Sequence, residues 1–282
     1  MEKILVTGAT GVIGSYVLEK LIQKGNRPIA GVRDTKKLNR KLQEHSEVLY
    51  LDYNEITSID NALSGVDKIF LVPPMEIDMV NMMKNILSKT KNISHIVSIS
   101  VSGADPKSEF PLLRWHGEIK NLLIEANIPF TLIAPSHFYQ NYIEFCAESI
   151  QNEDTFYFSQ GDTKKSMIDT VDIAEVAVKA LLEEGHAGNT YYLSGHDYDN
   201  IEIAEFFTKT LGRKINYIDI DPTDYRGFLK KMNMPEWKIE LFLKLNAAWK
   251  AGSRLKSNEE TKRLLGREPR TFLEFLTENK NS

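Results

Sequence analysis

The stretch Lys3–Gly14 reads KILVTGATGVIG, and it decides the fold. A short apolar strand comes first, glycines follow at positions 8, 11 and 14, and an amphipathic run continues from 12 to 21. A strand, a glycine-rich turn and a helix in this order are the setting in which a loop holds phosphate groups. The sequence therefore predicts an α/β fold, a Rossmann-type doubly wound parallel sheet, with a dinucleotide at its first turn.

The three glycines of this turn have different expected roles. Gly8 allows the tight turn, and Gly11 lets the backbone approach a pyrophosphate because a side chain there would block it. Gly14 is expected to allow close packing of the helix against the strand. The free amide groups at the start of the helix add a partial positive charge. We therefore predict that this segment binds the cofactor through Gly8, Thr10, Gly11, Val12, Ile13 and Gly14.

The end of the second predicted strand, 28–32, indicates which nucleotide binds. An acidic residue at this place would bind the ribose diol of NAD, whereas a guanidinium can hold the 2′-phosphate of NADP. Arg33 is the first residue beyond the strand, and Lys36 and Lys37 follow it. Arg33 therefore favours NADP(H), while the neighbouring Asp34 keeps NAD(H) possible.

Further strand ends are expected beside the same cofactor. Apolar runs predict strands at 48–51, 68–72, 95–100 and 129–133. Ligands of open parallel sheets bind at the carboxyl ends of the strands. Further cofactor contacts are therefore predicted at Asp52, Leu71, Val72, Pro73, Ser100 and Pro135. For Asp52 an alternative stays open, since it can equally cap the helix that starts near Thr57.

One predicted helix and one loop carry the remaining candidate site residues. The helix, 112–125, places His116 and Lys120 on one face. Lys120 can bond the ribose hydroxyls next to the nicotinamide, although an exposed pair without function has the same spacing. The loop that leaves the sixth strand combines aromatic and hydrogen-bonding groups. Substrate contacts are predicted on these two segments at Trp115, His137, Phe138, Tyr139 and Asn141.

The pattern of elements predicts two domains. Residues 1–153 are expected to form the nucleotide-binding domain, to which 169–195 return. Residues 154–282 are expected to form a smaller, mostly helical substrate-binding lobe, in which the short strands 155–158 and 165–168 resemble a hairpin. A cleft between the two would hold the substrate.

Composition limits the possible partners and the compartment. The chain has 282 residues and a net charge of −4, so no overall field favours nucleic acid or an anionic membrane. Its single cysteine, Cys146, cannot form an intramolecular disulfide and favours a reducing compartment, the cytoplasm. No apolar run is long enough to span a membrane, and no metal-ligand spacing occurs. We expect a small-molecule substrate and either a monomer or a homodimer.

Several motifs together resemble the NmrA-like group of atypical short-chain dehydrogenases/reductases. They are the glycine turn, GVR ending at Arg33, the strand-end Asp52, PFTLIAPSHFYQN (129–141), DTVDIAEVA (169–177) and LGREPRTFLEF (265–275). The resemblance covers nearly the whole chain. It implies one of two kinds of protein. Some members are quinone, azo-dye, triphenylmethane-dye or isoflavone-type reductases, and others are redox sensors that bind NAD(P) without turnover.

Typical short-chain dehydrogenases use Tyr-x-x-x-Lys, and the matching spacing here is His116-x-x-x-Lys120. The resemblance implies Lys120 as the cofactor clamp and His116 as an optional proton donor. The missing tyrosine disfavours carbonyl and epimerase chemistry, because a developing alkoxide needs a placed acid. Quinone, azo or dye reduction needs it less, since water or an imidazole with a near-neutral pKa can protonate a delocalised anion. We therefore predict an NADPH-dependent reductase of a small conjugated acceptor, with a sensor without turnover as the alternative.

Overall fold

A computed structural model describes residues 2–252 and 258–279. The chain divides into two compact units, Met1–Pro135 with Thr170–Leu193, and Ser136–Asp169 with Ser194–Ser282. The first stretch of the nucleotide unit therefore ends at 135 rather than at the expected 153. The physical reason is long-range pairing, because the strand that follows Pro135 joins a sheet of the second unit.

The first unit contains a seven-stranded sheet in which all neighbouring strands are parallel. Its strands are β1 Ile4–Thr7, β2 Ile29–Val32, β3 Glu47–Tyr50, β4 Lys68–Leu71, β5 His95–Ile99, β6 Phe130–Pro135 and β10 Thr190–Leu193. Their spatial order is β10-β6-β5-β4-β1-β2-β3. The order reverses between β1 and β4, and ligands of such sheets bind outside the carboxyl ends of the strands at this point. The predicted fold class is confirmed.

The helices of the first unit connect these parallel strands. They are α1 Gly14–Gln23, α2 Arg40–His45, α3 Ile56–Leu63, α4 Met79–Leu87, α5 Pro111–Glu125 and α7 Thr170–Leu182, and a 3₁₀ turn spans Thr35–Lys37. The first helix buries Val17, Leu18 and Leu21 on one face. Each such side chain contributes roughly 1.5–3 kcal/mol of burial free energy, which fixes the start of α1 beside the glycine turn.

The second unit contains two small sheets. Its strands are β7 His137–Phe138, β8 Thr155–Phe158, β9 Lys165–Ile168, β11 His196–Tyr198 and β12 Asn216–Asp219. The first sheet has the order β11-β9-β7, and the second pairs β12 with β8 in parallel. The predicted hairpin is therefore wrong, because β8 and β9 each pair with a strand that is distant in the sequence.

Helices make up most of the second unit, as predicted. They are α6 Gln140–Glu153, α8 Asn200–Leu211, α9 Pro222–Lys231, α10 Glu236–Lys250, α11 Glu259–Leu265 and α12 Phe272–Glu278. Their core is rich in aromatic rings, with Tyr142, Phe156 and Phe272 fully buried among them. Among the helices that the structure describes, none combines the length and the apolar character needed to cross a membrane.

Candidate functional site

The glycine turn after β1 has the backbone that the sequence predicted. Gly8 has φ +60°, a left-handed value that favours glycine. The Gly11 N–H donates to the Gly8 carbonyl over 2.8 Å and closes the turn. A Cβ at Gly14 would lie 2.2 Å from that same carbonyl oxygen. Gly14 therefore packs against the backbone of the turn itself, and not against the strand as expected.

The helix that follows the turn has an open N-terminus. It begins at Gly14, and no side chain in the part of the chain that the structure describes caps it. Thr10 and Gly11 are exposed, and Val12 is 48% exposed. Ile13 and Gly14 are buried, so they can offer only backbone groups to a ligand. An exposed turn of small residues at an uncapped helix N-terminus fits the pyrophosphate of a dinucleotide.

Thr7 joins the two loops at the switch point, a role that sequence reasoning missed. Its hydroxyl donates to the Phe70 carbonyl over 3.1 Å and accepts from the Val72 N–H over 2.8 Å. The Tyr53 hydroxyl donates to the Val72 carbonyl over 3.2 Å. A Cβ at Gly8 would lie 3.2 Å from the Val72 Cβ. The loops after β1 and β4 are therefore fixed to each other, and a hydroxyl at the end of the first strand was the only sequence signal for it.

The residues after β2 differ in availability. Arg33 is exposed, and its charge acts on the buried Tyr53 hydroxyl, whose pKa is raised by burial. The Asp34 carboxylate accepts from the Lys36 N–H over 3.0 Å and caps the 3₁₀ turn. This bond engages the carboxylate that would otherwise be offered to a ribose diol, whereas the guanidinium of Arg33 stays accessible.

The other strand-end residues have unequal roles. The Asp52 carboxylate accepts from the Asn54 N–H over 2.8 Å and closes a turn. Helix α3 begins at Ile56, and no side chain caps it, so the alternative helix-capping role of Asp52 is wrong. Leu71 is fully buried in the core and offers only backbone to a ligand, while Pro73 is partly exposed. The cofactor contacts at these positions stay predictions.

The loop after β5 is held firmly against α5. Ser100 is buried, and its N–H donates to the Ile133 carbonyl over 2.7 Å, two residues before the β6 end at Pro135. A Cβ at Gly117 would lie 2.2 Å from the Pro106 nitrogen. Only a glycine permits this approach, so Gly117 sets the position of the helix that carries the predicted clamp.

The two polar residues of α5 behave differently. Lys120 is exposed, and the structure gives its ammonium no partner among the residues it describes. His116 is buried, and burial lowers its pKa to about 4. The expected imidazole with a near-neutral pKa is therefore absent at His116, which is uncharged at neutral pH. An exposed His116–Lys120 pair is equally wrong. Trp115 packs against the core of the first unit.

The predicted substrate loop lies within the second unit. The His137 ring packs edge-on against Trp249, with centroids 4.5 Å apart. Its Nδ1 lies 3.5 Å from the Asn141 amide nitrogen, at the limit of hydrogen-bond distance. Burial and the charge of Lys165 lower the pKa of His137 to about 3. His137, Phe138 and Asn141 are all partly exposed and stay candidates for substrate contact.

Tyr139 is not available to a substrate. It is fully buried, packs edge-on against Phe272 with centroids 5.1 Å apart, and donates its hydroxyl to the Arg270 carbonyl over 3.1 Å. The prediction of a substrate contact at Tyr139 is therefore wrong. Tyr139 directly follows the short strand β7, which pairs with β9, and the sequence carried no sign of that strand. Cys146 is buried too, and burial raises its pKa.

Comparison with known proteins identifies the family. The NmrA-like family matches residues 1–276. The chain belongs to the NmrA-like family. It is 33% identical to the NAD(P)H azoreductase of Xenophilus azovorans, over 96% of each chain. Quinone oxidoreductase 2 of Escherichia coli is 25% identical, over 97% of each chain. The predicted family and the predicted class, an oxidoreductase, are confirmed by these matches.

A solved structure agrees with the fold and with the predicted nucleotide. The NADPH-dependent quinone oxidoreductase of Escherichia coli, complexed with NADPH, superposes with a TM-score of 0.85 at 25% identity, over 99% of this chain and all of that one. Its nucleotide agrees with the prediction of NADP(H), with NAD(H) possible. Among the described residues of this NmrA-like chain, no group of three or more histidine, cysteine or acidic side chains could hold a metal ion.

Proposed function

We propose that this NmrA-like protein is an NADPH-dependent reductase that transfers a hydride to a small conjugated acceptor such as a quinone, an azo compound or a related dye. The preference for NADPH is inferred from the end of β2, where Arg33 is exposed and the Asp34 carboxylate caps the 3₁₀ turn that follows it. An accessible guanidinium beside an engaged carboxylate favours a 2′-phosphate over a free diol. The azoreductase and quinone oxidoreductase relatives support the class of acceptor.

The residues that would hold the nucleotide follow from the geometry of the first unit. The open N-terminus of α1 and the exposed turn at Gly11 suit the pyrophosphate. Arg33 suits the 2′-phosphate, and the free ammonium of Lys120 suits the ribose hydroxyls next to the nicotinamide. When bound, the nucleotide supplies the hydride. The chain itself supplies position, and the bonds of Thr7 keep the two flanking loops fixed while it does so.

The protonation states narrow the acceptor class. A ketone that receives a hydride becomes an alkoxide and needs an acid at the moment of transfer. His116 and His137 are both uncharged at neutral pH, so neither imidazole is a charged donor. A quinone or azo compound spreads the new charge over a conjugated system and can take its proton from water. Neither histidine can therefore act as a charged acid, which supports conjugated acceptors over simple ketones.

The test is NADPH oxidation by the purified protein with a quinone, an azo dye, a triphenylmethane dye and an enal. Turnover above background supports the reductase. With NADPH deuterated at the transferring position, direct transfer to an enal leaves the deuterium on the β-carbon of the product. Lys120→Met should reduce turnover, and Lys107→Met, a change at another exposed lysine of the first unit, should not. Tight NADPH binding without oxidation of any acceptor would refute the reductase and favour a redox sensor.

A further inference from the structure

The second unit contains a buried lysine that the proposed reaction does not use. Lys165 on β9 is only 1% exposed. Its ammonium donates to the Gln160 side-chain oxygen over 2.7 Å and to the Asn200 side-chain oxygen over 3.0 Å. Among the described residues, no carboxylate forms an ion pair with it. A buried cation without a counter-ion is costly, and an ammonium has three N–H groups where two are used here.

Two of the three surrounding amide oxygens already accept two hydrogen bonds each. The Asn200 oxygen also accepts from the Tyr142 hydroxyl over 2.6 Å. The Gln160 oxygen also takes the Asn200 amide, at 3.4 Å, and the Asn246 oxygen accepts from the Gln160 amide over 2.8 Å. The Asn246 oxygen keeps one free lone pair, so the cluster still has more donors than acceptors.

Two further donors of this cluster are buried, and neither has a hydrogen-bond partner among the described residues. The Asn246 amide nitrogen is one. The Asn246 side chain lies beside the Tyr225 hydroxyl and offsets part of the rise that burial causes in the pKa of Tyr225, but the two are farther apart than a hydrogen bond. The other is Nε2 of His137. Because an amide NH₂ can only donate, the contact with Asn141 makes Nδ1 of His137 the acceptor and leaves the proton on Nε2.

The sheet places Lys165 and His137 on one face. Met167 of β9 lies opposite His137 of β7, and Lys165 lies two residues before Met167. Side chains two apart in a strand share a face, so Lys165 and His137 project from the same face of this sheet. The positive charge of Lys165 acts on the His137 ring. Trp249, one helical turn beyond Asn246 on α10, packs against the same ring.

We propose that Lys165, His137 and Asn246 form an oxyanion site of the second unit, which takes a carboxylate, sulfonate or phenolate group carried by an aromatic acceptor. An oxyanion accepts from all three donors and neutralises the buried charge. A single water would leave the charge of Lys165 uncompensated and, with two lone pairs, would accept from only two of the three donors. The aromatic part of the ligand would lie toward Trp249 and Asn141, which are partly exposed. The inference rests on the proposed function in one respect, namely that the ligand is the acceptor of the hydride. Among conjugated acceptors, such a site favours anionic compounds over cationic dyes.

The test compares two redox-inert probes of the same shape, 2-naphthoate and 2-naphthamide. Their binding to the full chain is measured by calorimetry in excess NADP⁺, which occupies the glycine turn. We expect naphthoate to bind about tenfold to a hundredfold more tightly than the neutral amide, as charge-assisted hydrogen bonds imply. Lys165→Met should abolish this preference and leave naphthamide binding unchanged. The control Lys164→Met removes the same charge from the adjacent exposed lysine, which pairs with Glu202 at 2.8 Å, and should keep the preference.

A measurement on the unmodified protein guards against misfolding of the lysine variant. Burial lowers the pKa of Lys165 to about 7, so above this pH the free site is increasingly uncharged. Naphthoate needs the ammonium, so its binding at about pH 8 should take up about one proton, seen as a buffer-dependent heat. The other titratable groups that act on Lys165 are Asp199, Asp219 and Cys146. Asn246→Ala should weaken naphthoate binding and spare proton uptake.

The outcomes separate this site from the proposed reaction. Equal affinity for the two probes, no measurable naphthoate binding, or a preference that survives in Lys165→Met would overturn the oxyanion site. Absence of NADPH oxidation would overturn the reductase and leave these binding results as they are, because neither probe is reduced.

Discussion

Three glycine-to-alanine substitutions should separate the stability of the nucleotide turn from its affinity for NADPH. A Cβ at Gly14 would lie 2.2 Å from the Gly8 carbonyl oxygen and 2.7 Å from its carbon. This oxygen is about 1.3 Å closer than an ordinary contact of about 3.5 Å, and both atoms belong to the backbone. The turn must therefore move by about 1 Å. We expect Gly14→Ala to cost about 2–3 kcal/mol of unfolding free energy, as overpacking does.

The other two positions supply the contrast. At Gly11 a Cβ would lie 3.2 Å from the Gly8 oxygen, so a shift of a few tenths of an ångström suffices. Gly11→Ala should cost less than about 1 kcal/mol of stability, but its methyl group occupies the space expected for a pyrophosphate. Gly227, on α9, has open space around it. Gly227→Ala should stabilise the chain by about 0.5–1 kcal/mol through helix propensity and leave NADPH binding unchanged.

Urea unfolding of the apo protein and calorimetric titration with NADPH measure the two quantities independently. NADPH affinity should fall about a hundredfold in Gly14→Ala, where the turn is displaced, and about tenfold or more in Gly11→Ala, where it is not. An affinity within twofold of wild type for Gly11→Ala would refute the reasoning, because that methyl group would then face no ligand. Unchanged stability of Gly14→Ala would contradict the packing of the turn itself.

Three further predictions concern the same unit. Arg33→Ala should weaken NADPH binding about tenfold to a hundredfold by calorimetry and leave NADH binding unchanged. The control Arg27→Ala, at another exposed arginine at the amino end of β2, should leave the affinity for both nucleotides unchanged. An equal loss of affinity for both nucleotides in Arg33→Ala would contradict a 2′-phosphate contact. Thr7→Val should lower the free energy of unfolding, measured in urea, by about 1–3 kcal/mol because it leaves the Val72 N–H unpaired, and Thr7→Ser should restore most of this loss. A valine variant as stable as the wild type would show that the hydrogen bonds of Thr7 are dispensable. His116 has a pKa of about 4 when folded, below the usual 6.5, so its stabilising contribution is full above pH 6.5 and falls as the pH is lowered toward 4. The free energy of unfolding that is lost between pH 7 and pH 5 should therefore be about 2 kcal/mol smaller in His116→Asn than in the wild type. An identical loss in both proteins would contradict this prediction.

Local patterns predicted the nucleotide unit well, because its information is short-range. Buried parallel strands appear as continuous apolar runs, and the Gly8–Gly14 turn lies between one such run and a helix. Arg33 was predicted as a cofactor contact from its place at a strand end alone, and this contact stays a prediction. The predictions for these residues depend only on the sequence within a few positions on either side.

The second unit was predicted less well, because its contacts join distant segments. His137–Phe138 was assigned to a loop and instead forms a strand with β9, thirty residues later. Tyr139 was chosen as an aromatic ring near a strand end, and only the position of Phe272, far along the chain, shows that it belongs to the core. His116 has the same spacing to Lys120 whether it is exposed or buried, so its pKa could not be read from the sequence. The burial of Lys165 could not be predicted either, since a lysine in a short strand is ordinarily solvated.

The interleaving of the two units has a consequence for the order in which the chain folds during synthesis. The edge strand β10, Thr190–Leu193, pairs in parallel with β6, Phe130–Pro135. Ribosomes release the chain from its N-terminus, so residues 136–189 emerge before this pair can form. Until then β6 is itself an edge strand, with unpaired backbone groups open to another chain. Destabilising changes in β10 should therefore lower the yield of folded protein in cells more than they lower the equilibrium stability of the purified chain.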